Sequence, residues 1–193
     1  MNSRGDSRLA ISAAPSAVGG AAALLVVFSL LGRRVFGLRP GPALAGGALA
    51  TALHFVSELW HQSGHARAAA HTGYPMSGVH LWGVLGTSLY PPDEPELPSE
   101  VHARRALGGP RASAVFAVAG ALLALATRPI GGVAHGGVAH GSVAHMVSTL
   151  FALENLLVFS AGALVPLPFM ETDGGTLRRH RHPRRKGRVV VQE

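Results

Sequence analysis

His54, Glu58, His61 and His65 recur at spacings of four, three and four residues. On a helix turning about 100° per residue, the last three lie about 40°, −20° and 20° from His54. Four ionisable side chains therefore share one narrow stripe of a segment that is otherwise largely apolar. Ionisable groups within a membrane helix are costly and mark functional sites facing the bundle interior. His61 and His65 have the i, i+4 spacing that lets two imidazoles hold one metal ion from a single helix. The chain has no cysteine, which excludes thiolate ligands and disulfides. A third protein ligand for Zn2+ must then come from elsewhere, and Asp173, in Pro166-Leu-Pro-Phe-Met-Glu171-Thr-Asp173-Gly174-Gly175, is the strongest candidate, with Glu171 competing. His54 lies about 10 Å from His61 along the helix axis, too far to share a metal, and is expected to make a bundle hydrogen bond.

The elements that must position these groups are membrane helices. Apolar residues make up 48% of the chain and charged residues only 14%, against about 25% charged in an average globular protein. Four stretches could cross a bilayer: Leu9 to Gly32, Gly41 to Ser57, Ala112 to Thr127 and Met146 to Phe169. The third is short. The first lacks a small-x-small cleavage site, with Gly32-Arg33-Arg34 standing where one belongs, so it is expected to remain as an uncleaved anchor. The net charge of +7 could suggest nucleic acid. Between Leu177 and Glu193, however, seven basic residues face one acid, so six of those seven charges belong to the tail. No nucleic-acid partner is expected, and the positive-inside rule places the tail in the cytoplasm. Four crossings then put the segment from Arg67 to Arg111 on the same side. Spans two and four run in one direction, which brings His61, His65 and Asp173 to the same membrane face.

Between spans two and three, Val79 to Leu85 reads as an extended hairpin or a membrane-dipping segment, and Pro91 to Pro98 as a proline-punctuated acidic loop. Gly131 to His145 reads GGVAH-GGVAH-GSVAH. Its histidines would lie about 140° apart on a helix, so an external glycine-rich loop is favoured over a metal site. Glu154 is expected to pair with Arg128 or groups around Asn155. Trp60, Trp82, Tyr74 and Tyr90 suit interfacial anchoring.

His61-Gln-Ser-Gly-His65-Ala-Arg-Ala-Ala resembles the HExGHxxAA signature of site-2-protease-like intramembrane zinc metalloproteases. Ala106-Leu-Gly-Gly109-Pro110 resembles the AGP element before that family's next core helix, and Asp173-Gly174-Gly175 resembles its DG motif. The ordered set covers roughly His54 to Leu177. The resemblance implies a three-helix core, a zinc ion held by His61, His65 and Asp173 near the cytosolic side, and hydrolysis of peptide bonds in membrane-spanning substrates. One departure matters most. The family places Glu directly after the first His, where it accepts a proton from the attacking water. Gln62 stands there, and an amide accepts no proton at neutral pH. Gln62 is left to position the water, with Glu58 either substituting as base or orienting His61 as an outer carboxylate.

The expected architecture is an all-α integral membrane protein of about four transmembrane helices, with a hairpin insertion after the second. Residues 1–40 form an anchor segment, 41–176 the metalloprotease-like core and 177–193 the basic tail. The expected partners are the bilayer and a membrane protein or peptide substrate, and the expected location is a bacterial plasma membrane with the C-terminus cytoplasmic. Two functions follow: a zinc metallopeptidase acting in or near transmembrane segments, or an inactive relative that binds membrane proteins. A haem or metal transporter fits less well, because no charged path crosses all the spans.

Overall fold

The computed structural model describes residues 9–128 and 142–181. The first two GGVAH repeats and the basic tail beyond residue 181 lie outside the described residues. A short strand, β1 (Ala10–Ala13), precedes helix α1 (Ser16–Arg34). The uncharged stretch from Leu9 to Gly32 is thus two elements and not one span. Pro15 sits at the helix N-cap and opens α1, and Arg33 and Arg34 close it, where basic side chains complement the helix dipole. Pro40 then starts α2 (Pro40–His71) at a position where its missing N–H costs nothing. α2 is followed by the hairpin β2 (Gly78–Trp82) and β3 (Leu85–Leu89), then by α3 (Ser99–Ala106) and α4 (Gly108–Ala126).

Ser142 caps α5 (Val143–Leu156), its hydroxyl accepting from the His145 N–H. The last repeat, GSVAH, therefore opens a helix and does not continue a loop. α5 passes into a π-helical turn at Leu157–Ala161 and a 3-10 turn at Gly162–Leu164, after which an irregular segment bent at residues 168–170 leads to α6 (Asp173–Arg181).

Among the described residues, three helical segments are long and apolar enough to cross a membrane: Ser16–Arg34, Ser99–Ala126 and Val143–Leu164. The short third span of the sequence is lengthened by α3, which leads straight into α4. α2 packs against α1, α4 and α5 in the same bundle. At about 48 Å it is long enough to span, but its polar stripe makes it less apolar than the other three. Phe28, Ala43, Ala50, Met146 and Leu150 form a core where α1, α2 and α5 meet.

β1 pairs in parallel with β2, Ala10 opposite Gly78, and β2 pairs antiparallel with β3, giving the order β1-β2-β3. This pairing brings the start of α1 beside the segment that follows α2, so both lie at one end of the bundle. The hairpin covers the polar stripe of α2 there. His54 Nε2 donates to the Val84 carbonyl (2.6 Å) at the hairpin turn, while its Nδ1 meets Glu154 Oε1 on α5 (3.0 Å). Glu154 thus pairs with His54 and not with Arg128.

Candidate metal centre

Two turns of α2 beyond His54, the stripe reaches His61 and His65, both buried. Their Nε2 atoms face each other at 3.0 Å. Asp173 completes a triangle, with Oδ2 3.5 Å from His61 Nε2 and Oδ1 3.4 Å from His65 Nε2. Four-coordinate zinc with bonds of about 2.0–2.1 Å places neighbouring ligand atoms about 3.3 Å apart. The three separations fit that requirement.

The outer contacts of the two rings fit it as well. His65 Nδ1 donates to the Arg105 carbonyl (2.8 Å), which can only accept, so its Nε2 keeps the lone pair a metal needs. His61 Nδ1 bonds Ser113 Oγ (3.1 Å). The partner that orients His61 is therefore a hydroxyl on α4, not the carboxylate of Glu58. Gly109 leaves the space: a Cβ at that position would run into the Nε2 atoms of both His61 and His65. A cradle between three donor atoms, kept open by a missing side chain, suits a small cation.

Asp173 reaches the histidines because the chain cannot continue as a regular helix. The π and 3-10 turns and the bends that follow Pro166 and Pro168 redirect it, and α6 begins at Asp173 itself. Gly174 packs onto the Leu164 carbonyl so closely that any Cβ would clash with it. Burial pushes the Asp173 carboxyl up, but the two imidazoles more than offset this and hold it below the ordinary carboxylate range. Glu171, the competing ligand, is exposed and pairs with Arg179. Among the described residues, His61, His65 and Asp173 form the one group of three or more such side chains placed to hold a metal ion.

Glu58 and Gln62 are both buried and share a wall of the same cavity, of about 760 Å³, with the ligand set. Gln62 Nε2 donates to Glu58 Oε1 (2.9 Å) and to the Gly86 carbonyl (3.1 Å), and its Oε1 accepts from Ser88 Oγ (2.7 Å). Across the cavity, Arg105 is buried with a double hydrogen bond to Glu94, a bond to the Tyr74 carbonyl and the Tyr90 ring 4.1 Å away. The two tyrosines thus serve Arg105 as well as any interface. Trp60 stacks on Phe116 and donates to the Ala112 carbonyl (2.7 Å), fixing α2 against α4.

Sequence reasoning did not single out Ser113 or Arg105. Ser113 follows Pro110 by three residues, the spacing that returns a side chain to the same helix face, and this was the available signal.

No protein-family model matches the sequence, and no curated protein matches it. Among solved structures, the fold is similar to "Site-2 Protease from Methanocaldococcus jannaschii", with a TM-score of 0.55 and 17% sequence identity. The match covers 88% of this chain and 65% of that one, so this chain spans about two thirds of that protein's length. At that identity the likeness speaks for architecture alone, and the chain is a helical membrane-type protein with a site-2-protease-like fold.

Proposed function

We propose that this chain is a membrane-embedded metallopeptidase that hydrolyses peptide bonds in or near transmembrane segments and holds one Zn2+ through His61, His65 and Asp173. The observation that carries the reading is the convergence of the two Nε2 atoms and the Asp173 carboxylate at 3.0–3.5 Å, with each Nδ1 already engaged. Zinc bound there would supply Lewis-acid polarisation of a carbonyl oxygen or of water. The protein's own residues supply the rest. Four carboxylates line the cavity; Asp173 faces the histidines, Glu94 is taken by Arg105 and Glu171 by Arg179. That leaves Glu58 to hold the transferred proton, at Oε2, the oxygen that Gln62 does not engage. Gln62 holds Glu58 in place, and Phe159 contributes an apolar part of the cavity wall.

A second reading, an inactive relative that binds membrane proteins, is favoured by one observation. Both Nε2 hydrogens and the Oε1 of Gln62 are engaged by protein groups, leaving position 62 without a proton acceptor. The two readings separate experimentally. Purified protein should carry about one zinc per chain, lost in His65→Ala and Asp173→Ala; metal-free wild type would sink both. The peptidase reading expects wild type to cut a model transmembrane peptide and Glu58→Gln to be slower by about 10²–10⁴-fold. Zinc-loaded wild type that cuts nothing, and gains cleavage through Gln62→Glu, leaves the partner-binding reading.

A further inference from the structure

We propose that Gln62 is a positioning residue whose carboxamide, oriented by Glu58, holds the cavity-side edge of β3 on α2 as a fourth strand would. β3 pairs with β2 along one edge only. In an antiparallel pair, alternate residues turn their main-chain groups away from the partner, and such an unpaired edge must be covered. Here α2 covers it. The Val84 carbonyl receives His54 Nε2 and the Gly86 carbonyl, two residues on, receives Gln62 Nε2. Side chains of a helix thus replace the N–H groups of a neighbouring strand.

The chemistry of the contact requires an amide. Gln62 Nε2 faces two acceptors, Glu58 Oε1 and the Gly86 carbonyl, and needs both of its hydrogens to serve them. Ser88 Oγ lies 2.7 Å from Gln62 Oε1, which fixes the orientation of the amide. A carboxylate at this position would set a second anion against Glu58 and turn a lone pair toward the carbonyl. The approach is also too close for a larger residue on the strand. A Cβ at Gly86 would lie 2.6 Å from Glu58 Oε1 and 3.3 Å from Gln62 Nε2. The clamp depends on position 62 and not on whether the site hydrolyses peptides.

Hydrogen exchange of the hairpin amides in the full-length, zinc-supplemented protein tests this. Gln62→Met, Gln62→Glu and Gly86→Ala should each speed exchange in β3 by about tenfold, the effect of losing hydrogen bonds to a charged group and a carbonyl, with α4 amides unchanged. Combining Gln62→Glu with Glu58→Gln removes the anion pair but leaves the Gly86 carbonyl without a donor, so β3 should still exchange faster than in wild type. Unchanged β3 exchange in both Gln62→Met and Gly86→Ala would overturn the clamp, as would equal acceleration throughout α4 or a double variant that exchanges as slowly as wild type. Zinc content measured on the same samples separates the ideas: metal-free protein whose β3 still responds sinks the zinc site and leaves the clamp.

Discussion

Gly109 is the residue on which the metal seat depends without contributing a ligand atom. Alanine is about 1 kcal/mol better than glycine inside a helix, and Gly109 lies in the first turn of α4. Gly109→Ala should therefore leave the helix intact while its methyl group fills the space between the two imidazoles. The expected result is a folded, monodisperse protein that no longer retains zinc, read by metal analysis beside far-UV circular dichroism. Retention of a full equivalent of zinc would show that the cradle is not where the metal sits. His61, His65 and Asp173 were legible as a set because helical periodicity and the parity of the spans bring them to one place. Gly109 and Ser113 were not. Their roles depend on how closely α4 crosses α2 near Gly64, and no spacing within either helix encodes that crossing. Gln62 was legible as a departure from a motif, but not as a donor to β3, because the strand register decides which carbonyl it meets.

At the scale of elements, the insertion between α2 and α3 is gathered at its neck by Arg105. Tyr74 near its start and Tyr90 and Glu94 near its end all converge on that guanidinium. The same residue's carbonyl orients His65, so the neck and a proposed metal ligand share one support. The hydrogen bonds from Arg105 hold the Glu94 carboxyl below the ordinary carboxylate value of 4.5. A depressed carboxyl adds stability that is fully present above its unfolded value and is lost as pH falls through its folded value. Proteolysis within Pro91 to Pro98 should therefore stay slow at neutral pH and rise only below about pH 4.5. Glu94→Gln should cut faster at neutral pH and flatten that dependence. A variant with the wild-type profile would show that the pair does not secure the neck. Val79 to Leu85 reads equally as an extended hairpin or a membrane-dipping segment, and the strands decide for the hairpin, which runs on to Leu89. β1 was not legible, because its partner strand lies 68 residues away and the same apolar residues suit a helix equally well. The π turn that redirects the chain toward Asp173 has no local sequence mark at all.

For the whole molecule, the large apolar side chains left outside the bundle are numerous on α1 and α4, with Val18 75% and Leu122 63% exposed. Patches of that extent suit lipid and not water. The β1–β2 pairing and the C-terminal end of α4 then lie at opposite ends of the bundle, with the acidic loop at the first end. The chain has no cysteine, which makes single reporters simple to introduce. In right-side-out vesicles, a membrane-impermeant thiol reagent should label Arg128→Cys and spare Asp93→Cys until the membrane is opened. Labelling of both from outside would contradict the arrangement, and the reverse pattern would invert the orientation expected from the basic tail. The membrane character was legible from composition alone. The boundaries were less so, because the polar stripe that makes α2 useful also makes it the least apolar member of the bundle.

The parallel pairing of β1 with β2 also has a bearing on how the protein is made. Chains emerge at about 5–20 residues per second, so β1 waits roughly 3–13 s for the strand it pairs with. During that interval α1 and α2 are made, while the first strand stays unpartnered at its edge. Asp173 arrives later still, on the last described helix. A ribosome-bound intermediate that lacks α6 carries both histidines but not the carboxylate that faces them, so the three donor groups come together only once α6 has docked.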